Sequence, residues 1–298
     1  MKNLIEIIKE AEVNKIAIGH LNISDIAGLK AVFEAAYKLR LPVIIGVSEG
    51  EGDFIGRRQI AALVKSLKEE YNYPIFLNAD HTKSLEKIKE AVEAGFDSVM
   101  FDGSNLSLEE NIKKTKSIVG YVKSVNSEIL VEGEIGYIKG SSTILKASEV
   151  FIKQEDLASS QEAKQFVKET NIDLLAPAVG NIHGIITRTS VDNQTQINAG
   201  NPNLDIRRIK EIKEAVGIPL VLHGGSGIKD EEILAAIDAG ISIVHINTEL
   251  RLAWRKALEE AFKEKPEEIV PYKLLPKAVE EIKKVVEKKL RLFNKINE

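Results

Sequence analysis

Histidine is scarce in this chain and unusually placed. All five, His20, His81, His183, His223 and His245, lie in short apolar runs or at their ends, and none lies in a helical stretch. Acids accompany them. Asp80 adjoins His81, Asp102 ends the run SVMFD, and Glu132 and Glu134 stand two apart in EILVEGEIG. Three imidazoles with an open fourth position make a catalytic zinc site, and a chain without cysteine has imidazole as its natural nitrogen ligand. His81, His183 and His223 are spaced for that. The same spacing also suits separate histidines that each bind a loop carbonyl, and both readings stand at this point. Asp80 and His81 are neighbours, so on a regular strand they point to opposite sides. One can ligate while the other faces a substrate as general base. Glu132 and Glu134 share a strand face, which is costly in a core unless they pair with a cation or are hydrogen-bonded there. Glycines add an anion site. HGI, HGGSG and NTE follow three successive apolar runs. The N–H groups of Gly224, Gly225 and Gly227, with the hydroxyls of Ser226 and Thr248, can cradle a phosphate.

Eight short runs read as strands: 15–23, 42–50, 74–81, 98–104, 128–136, 174–184, 219–227 and 243–249. Their apolar stretches are near-continuous, as expected for strands buried on both faces. Helical patterns such as IAGLKAVFEAAYKLR, SLEKIKEAVEAG and KDEEILAAIDAG separate them. Ser107 before Leu108-Glu109-Glu110 fits a capping box, and Gly95, Gly217 and Gly240 stand where helices should stop. Strict alternation predicts a parallel sheet, and eight units predict a (β/α)8 TIM barrel over 1–298, with an open doubly wound sheet as the rival. In a barrel the strand ends share one rim. The segment 266–298, rich in Lys, Glu and Leu, reads as extra helix outside the barrel or at a subunit contact.

Composition narrows the function classes. The chain has 298 residues, 44% hydrophobic and 29% charged, with a net charge of −4 and no basic block, which argues against a nucleic-acid partner. No run of apolar residues is long enough for a membrane span, and the start is an amphipathic helix rather than a secretory signal. The absence of cysteine excludes disulfides and fits a cytoplasmic protein.

The Asp80-His81 pair, VEGEIG and HGGSG, in this order, resemble the class II, metal-dependent fructose-bisphosphate aldolases, a group that includes the tagatose-bisphosphate aldolases. AIGHLN, PVIIGVSEGEGDFIG, AGFDSVMFDGSNLSLEENI and GIPLVLHGGSGI extend the similarity over nearly the whole chain. The resemblance implies that His81, His183 and His223 ligate zinc or another divalent metal. It implies that Asp80 exchanges the proton of the substrate C4 hydroxyl, and that Asp102 and Glu134 can hold a displaced or second ion. Gly184, Gly224, Ser226 and Thr248 match the phosphate loops, beside which a monovalent cation such as Na+ or K+ is typical. Asn22 and Ser48 match substrate contacts. Other positions depart from the pattern. Asn78 replaces a histidine that is not a ligand. His245 replaces an asparagine that contacts the dihydroxyacetone part of the substrate, and Asn247 stands where the family has Asp or Asn. Ser142 replaces a glutamate that one subgroup uses for proton transfer, and the loop after His183 is long. The implied reaction is reversible cleavage of a ketose 1,6-bisphosphate without a lysine Schiff base, in a homodimer or homotetramer. Tagatose 1,6-bisphosphate cleavage and a sugar-phosphate isomerase or epimerase on the same site are the alternatives.

Overall fold

The computed structural model describes residues 2–146, 152–189, 196–198 and 201–297. In chain order its strands are β1 (Ile18–Asn22), β2 (Val43–Ser48), β3 (Ile75–Thr82), β4 (Ser98–Phe101), β5 (Leu130–Ile135), β6 (Gly140–Lys146), β7 (Leu174–Pro177), β8 (His183–Thr189), β9 (Gln196–Asn198), β10 (Leu220–Leu222) and β11 (Ile241–Ile246). Eight of them form a closed parallel barrel in the order β1-β11-β10-β7-β5-β4-β3-β2. Because β1 pairs with both β2 and β11, the sheet closes and the open-sheet alternative falls.

Helices surround it: α1 (Leu4–Asn14), α2 (Ile26–Leu39), α3 (Glu49–Ile55), α4 (Arg57–Tyr71), α5 (Leu85–Ala94), α6 (Leu108–Val125), α7 (Ser160–Thr170), α8 (Ile206–Val216), α9 (Asp230–Ala239), α10 (Thr248–Glu264) and α11 (Pro271–Phe293). Their starts follow from local chemistry. Asp25, Ser84, Ser107, Ser159 and Asp205 each accept a hydrogen bond from the amide three residues on, filling a donor the helix cannot use. Gly95 and Gly217 end α5 and α8 in the left-handed conformation that glycine adopts without strain. The segment after Pro266 forms α11, whose buried stripe of Leu274, Ala278, Ile282, Val286 and Leu290 repeats every four residues. It packs on α2 and α10 and closes on β1 so tightly that a Cβ on Gly19 would lie 2.6 Å from Leu290 Cδ2. Among the described residues no helix is long and apolar enough to cross a membrane.

The barrel interior is layered. At its floor Ile18, Ile44, Phe76, Leu130, Leu174, Val221 and Ile243 pack against Leu4, Ile7, Ile8 and Ala11 of α1, which stoppers that end. Two residues on, facing the same way, come His20, Gly46, Asn78, Glu132, His223 and His245. Two beyond those come Asn22, Ser48, Asp80, Glu134 and Asn247. A dry floor thus gives way to a polar mouth at the strand C-termini.

One predicted strand is corrected. The run 174–184 is not one strand. β7 stops at Pro177, and the chain passes through Gly180 at φ +100° and leaves the barrel. His183 therefore opens β8 rather than ending the sixth barrel strand. β8 belongs to a small sheet, β6-β8-β9, that stands over the mouth. Part of the long loop after His183, residues 190–195 and 199–200, lies outside the described residues.

Candidate active site

A cavity of about 200 Å³ opens at the mouth, lined among others by Asn22, Ser48, Asp80, His81, His183 and His245. Asp80 and His81 both line it, against the expectation for adjacent strand residues. The cause is local. The β3–β4 register slips between Ala79 and Thr82, and His81 takes φ +45°, a left-handed conformation that costs a non-glycine residue energy. That turn brings consecutive side chains to one cavity, and such strain is retained where the surroundings enforce it.

Three imidazoles meet there. The His81 ring lies 4.6 Å from the His183 ring and 4.8 Å from the His223 ring, centroid to centroid, and the latter two are 5.8 Å apart. One ligand atom from each of these, together with one from Glu134, fits within 4.8 Å of the others. His81 Nε2 and His223 Nδ1 face each other at 3.0 Å. Two imidazole nitrogens this close need a proton or a metal ion between them, and a tetrahedral zinc with bonds of about 2.0–2.1 Å spaces its ligand atoms about 3.3 Å apart. Glu134 Oε2 is buried without a hydrogen-bond partner. An orphaned buried carboxylate oxygen beside three converging imidazoles is what a divalent ion requires, so the residues fit one.

Carboxylates behind two of these imidazoles orient them. Glu132 Oε1 lies 2.7 Å from His223 Nε2, so the proton is assigned there and Nδ1 is left for the cavity. Asp102 Oδ2 is 3.3 Å from His81 Nδ1, and its Oδ1 accepts hydrogen bonds from the Ser104 hydroxyl and amide. Asp102 thus stands behind the His81 ring and is not one of the four groups that converge. Asn181 holds the crossing chain in place: its Oδ1 accepts from Val179 N and its Nδ2 donates to His223 O. It lies two residues before His183 and returns that residue to the barrel axis.

Charge follows from this packing. Burial lowers His81, but Asp80, Asp102 and Glu134 around it push it up to about 10, a proton that a bound metal would displace. His223 is likewise lowered by burial and raised overall by Glu132. Burial lifts Glu134 to about 7. Burial, then the charges of His81 and His223, hold His183 well below its ordinary value. Burial would raise Asp80, yet His81 first and then His245 keep its carboxyl well below the usual carboxylate range. Asp80 is thereby ionised. Asn22 Nδ2 donates to its Oδ2 at 2.9 Å. His245 Nδ1 lies 3.5 Å from its Oδ1, which has no closer partner.

His245 and His20, register partners on β11 and β1, lie beneath and stack face to face, 3.5 Å apart with an interplanar angle of 3°. His245 also stacks on His223 at 4.0 Å. Asn78 Nδ2 contacts His20 Nε2 at 3.0 Å. One atom each from these two rings and Asp80 lie within 4.8 Å of one another, but parallel rings point their lone pairs along separate planes, a poor geometry for sharing one ion. Gly46 makes room for it, since a Cβ there would lie 2.0 Å from His20 Cε1.

On the side of the glycine loops, Gly184, Gly224, Ser226, Asn247 and Thr248 line the cavity. The expected donors Gly225 and Gly227 are otherwise engaged. The Gly225 amide donates to His245 O, and the Gly227 amide to Glu249 Oε1. The Ser226 hydroxyl accepts from the Asn247 and Glu249 amides, which ties HGGSG to the start of α10. Two residues escaped the sequence reading. Glu51 is a buried hub that accepts from Asn22 Nδ2, Ser48 N and Arg251 Nη2. Its signal was present as the capping-box spacing Ser48-x-x-Glu51. Asn201 joins two glycine loops, and no periodicity marks it.

The family profile for class II fructose-bisphosphate aldolase matches residues 2–298. The fructose-bisphosphate aldolase of Geobacillus stearothermophilus is 36% identical, covering 97% of this chain and 95% of its own. The 6-phospho-5-dehydro-2-deoxy-D-gluconate aldolase of Bacillus licheniformis is also 36% identical, covering 97% of this chain and 93% of its own. The crystal structure of the YdjI aldolase from Escherichia coli K12 superposes with a TM-score of 0.77 at 28% identity, covering 98% of this chain and 96% of that one.

Proposed function

We propose, for a chain that belongs to the class II fructose-bisphosphate aldolase family, that it is a zinc-dependent lyase. It reversibly cleaves fructose 1,6-bisphosphate to dihydroxyacetone phosphate and glyceraldehyde 3-phosphate. The observation that carries this reading is the meeting of three imidazoles beside an ionised carboxylate that is not one of them.

His81, His183 and His223, with Glu134 in reach, would hold the ion, which supplies Lewis-acid stabilisation of the charge that develops as the C3–C4 bond breaks. The rest belongs to the chain. Asp80 takes the C4 hydroxyl proton as that carbon becomes an aldehyde, and the bonding pair stays on C3, which is later protonated. Asn22 holds one Asp80 oxygen so that the other faces the substrate. Gly184, Gly224, Ser226 and Thr248 hold the C1 phosphate and fix the reacting bond against Asp80. Among the described residues no lysine lines the cavity, and Lys83 is exposed, which favours a route without a Schiff base.

The test is triose phosphate release from fructose 1,6-bisphosphate, before and after chelation and after zinc is restored. Tagatose 1,6-bisphosphate and 6-phospho-5-dehydro-2-deoxygluconate serve as competing substrates. A marked preference for either competitor would reassign the substrate, and His245 in place of an asparagine is the residue to examine then. Turnover without triose phosphate would favour an isomerase or epimerase. Inactivation by borohydride in the presence of substrate would favour a lysine route.

A further inference from the structure

Asn201 is buried, and its side chain makes three hydrogen bonds. Nδ2 donates to Gly184 O and to Ser226 O, each at 2.8 Å, and Oδ1 accepts from Ile186 N at 3.0 Å. The two carbonyls belong to the two glycine loops that line the phosphate end of the cavity. The amide orientation is fixed by its partners. Flipped, it would set an oxygen between two carbonyl oxygens and an N–H against an N–H.

Two carbonyl oxygens that converge on one point, as these do on Asn201 Nδ2, can be bridged by a cation or by an NH2 group, since both present positive charge to oxygen. The family resemblance leads one to expect a monovalent ion there. These residues do not leave it that place. The gap between Gly184 O and Ser226 O is filled by the Asn201 nitrogen, and the hydrogens it carries repel a cation. Glu249, the carboxylate that binds the Gly227 amide, is likewise supplied: the ammonium of Lys289, a buried α11 residue, pairs with it at 2.9 Å.

We propose that Asn201 stands in for the monovalent cation: its amide clasps the two phosphate loops, so this chain binds phosphate without Na+ or K+. The proposal rests on the reading of those loops as the phosphate site. Asn201 is then a positioning residue, acting through the Gly184 and Ser226 backbones. An aspartate at this position keeps the shape but adds a third oxygen and removes the donor, which turns the clasp into an oxygen cage for a cation.

The experiment is calorimetric binding of inorganic phosphate to the metal-loaded full chain. It is run with tetramethylammonium as the only monovalent cation, and again with K+ or Na+ at equal ionic strength. The wild type should bind equally in all three. Asn201→Asp should bind about tenfold more weakly or worse in tetramethylammonium and recover in K+ or Na+, a rescue that a merely structural defect would not show. A wild type that needs K+ or Na+ for phosphate binding overturns the proposal, and this outcome needs no variant to fold. An Asn201→Asp protein that matches the wild type in tetramethylammonium also overturns it. A wild type that ignores phosphate in every salt rejects the phosphate-site reading beneath it, a result distinct from salt dependence.

Discussion

Two groups of histidine share the barrel axis and behave oppositely. His81 and His223 in the upper group have a carboxylate on the far side of each ring, Asp102 and Glu132, and both are raised above the ordinary histidine value. His20 and His245 in the lower group lie against each other. Burial lowers His20 to about 4 and holds His245 well below its ordinary value, so both rings are neutral. The side chain is the same, and His223 starts from the same barrel layer as His20 and His245 and stacks on the latter. What distinguishes the two raised rings is a carboxylate 2.7–3.3 Å from a ring nitrogen, closer than the 3.5 Å between His245 and Asp80. His183 shows that this is not the whole rule: it has the cavity position and a depressed value, and it reaches the upper group from outside the barrel.

The largest effect should come from breaking the upper group. His223→Ala should leave no bound metal by elemental analysis and no measurable aldol cleavage, and a variant that kept both would dissolve the distinction. Next, Asp80→Ala should keep the metal but lose about 10²–10⁴-fold in turnover, the usual share of a general base. Loss of metal along with turnover would make Asp80 a ligand. Removing the charge behind a ligand is milder. Glu132→Gln should weaken metal affinity about 10–100-fold, measured by competition with a chelator.

The distinction also has a pH signature. His81 is held up to about 10, so near neutrality an entering ion must displace a proton. Metal affinity should therefore rise with pH, and calorimetry in buffers of different ionisation enthalpy should find at least one proton released per ion. No released proton would mean that His81 is neutral before metal arrives. The smallest effect belongs to the lower group. Gly46→Ala would drive a methyl into the His20 ring and should cost about 1–3 kcal/mol of stability in denaturant titration, with metal content unchanged.

Much of this was legible in the sequence because the barrel repeats. Continuous apolar runs ending in polar residues mark strands, and steps of two from Ile18 to His20 to Asn22, or from Phe76 to Asn78 to Asp80, carry the inward face from floor to mouth. Three features were not legible, each for a physical reason. The β6-β8-β9 sheet begins with a largely exposed strand, so no buried pattern announces it. The convergence of Asp80 and His81 depends on a register slip and one left-handed residue, set by strand pairing rather than by either side chain. Asn201 lies in a loop, where spacing carries no information about which backbone oxygens will face it.

The stopper formed by α1 makes the barrel a vessel with one opening. Nothing drains through the floor, so reactant enters and both fragments depart by the same doorway, under the small sheet that overhangs it. Cleavage into two pieces inside such a cul-de-sac imposes a queue.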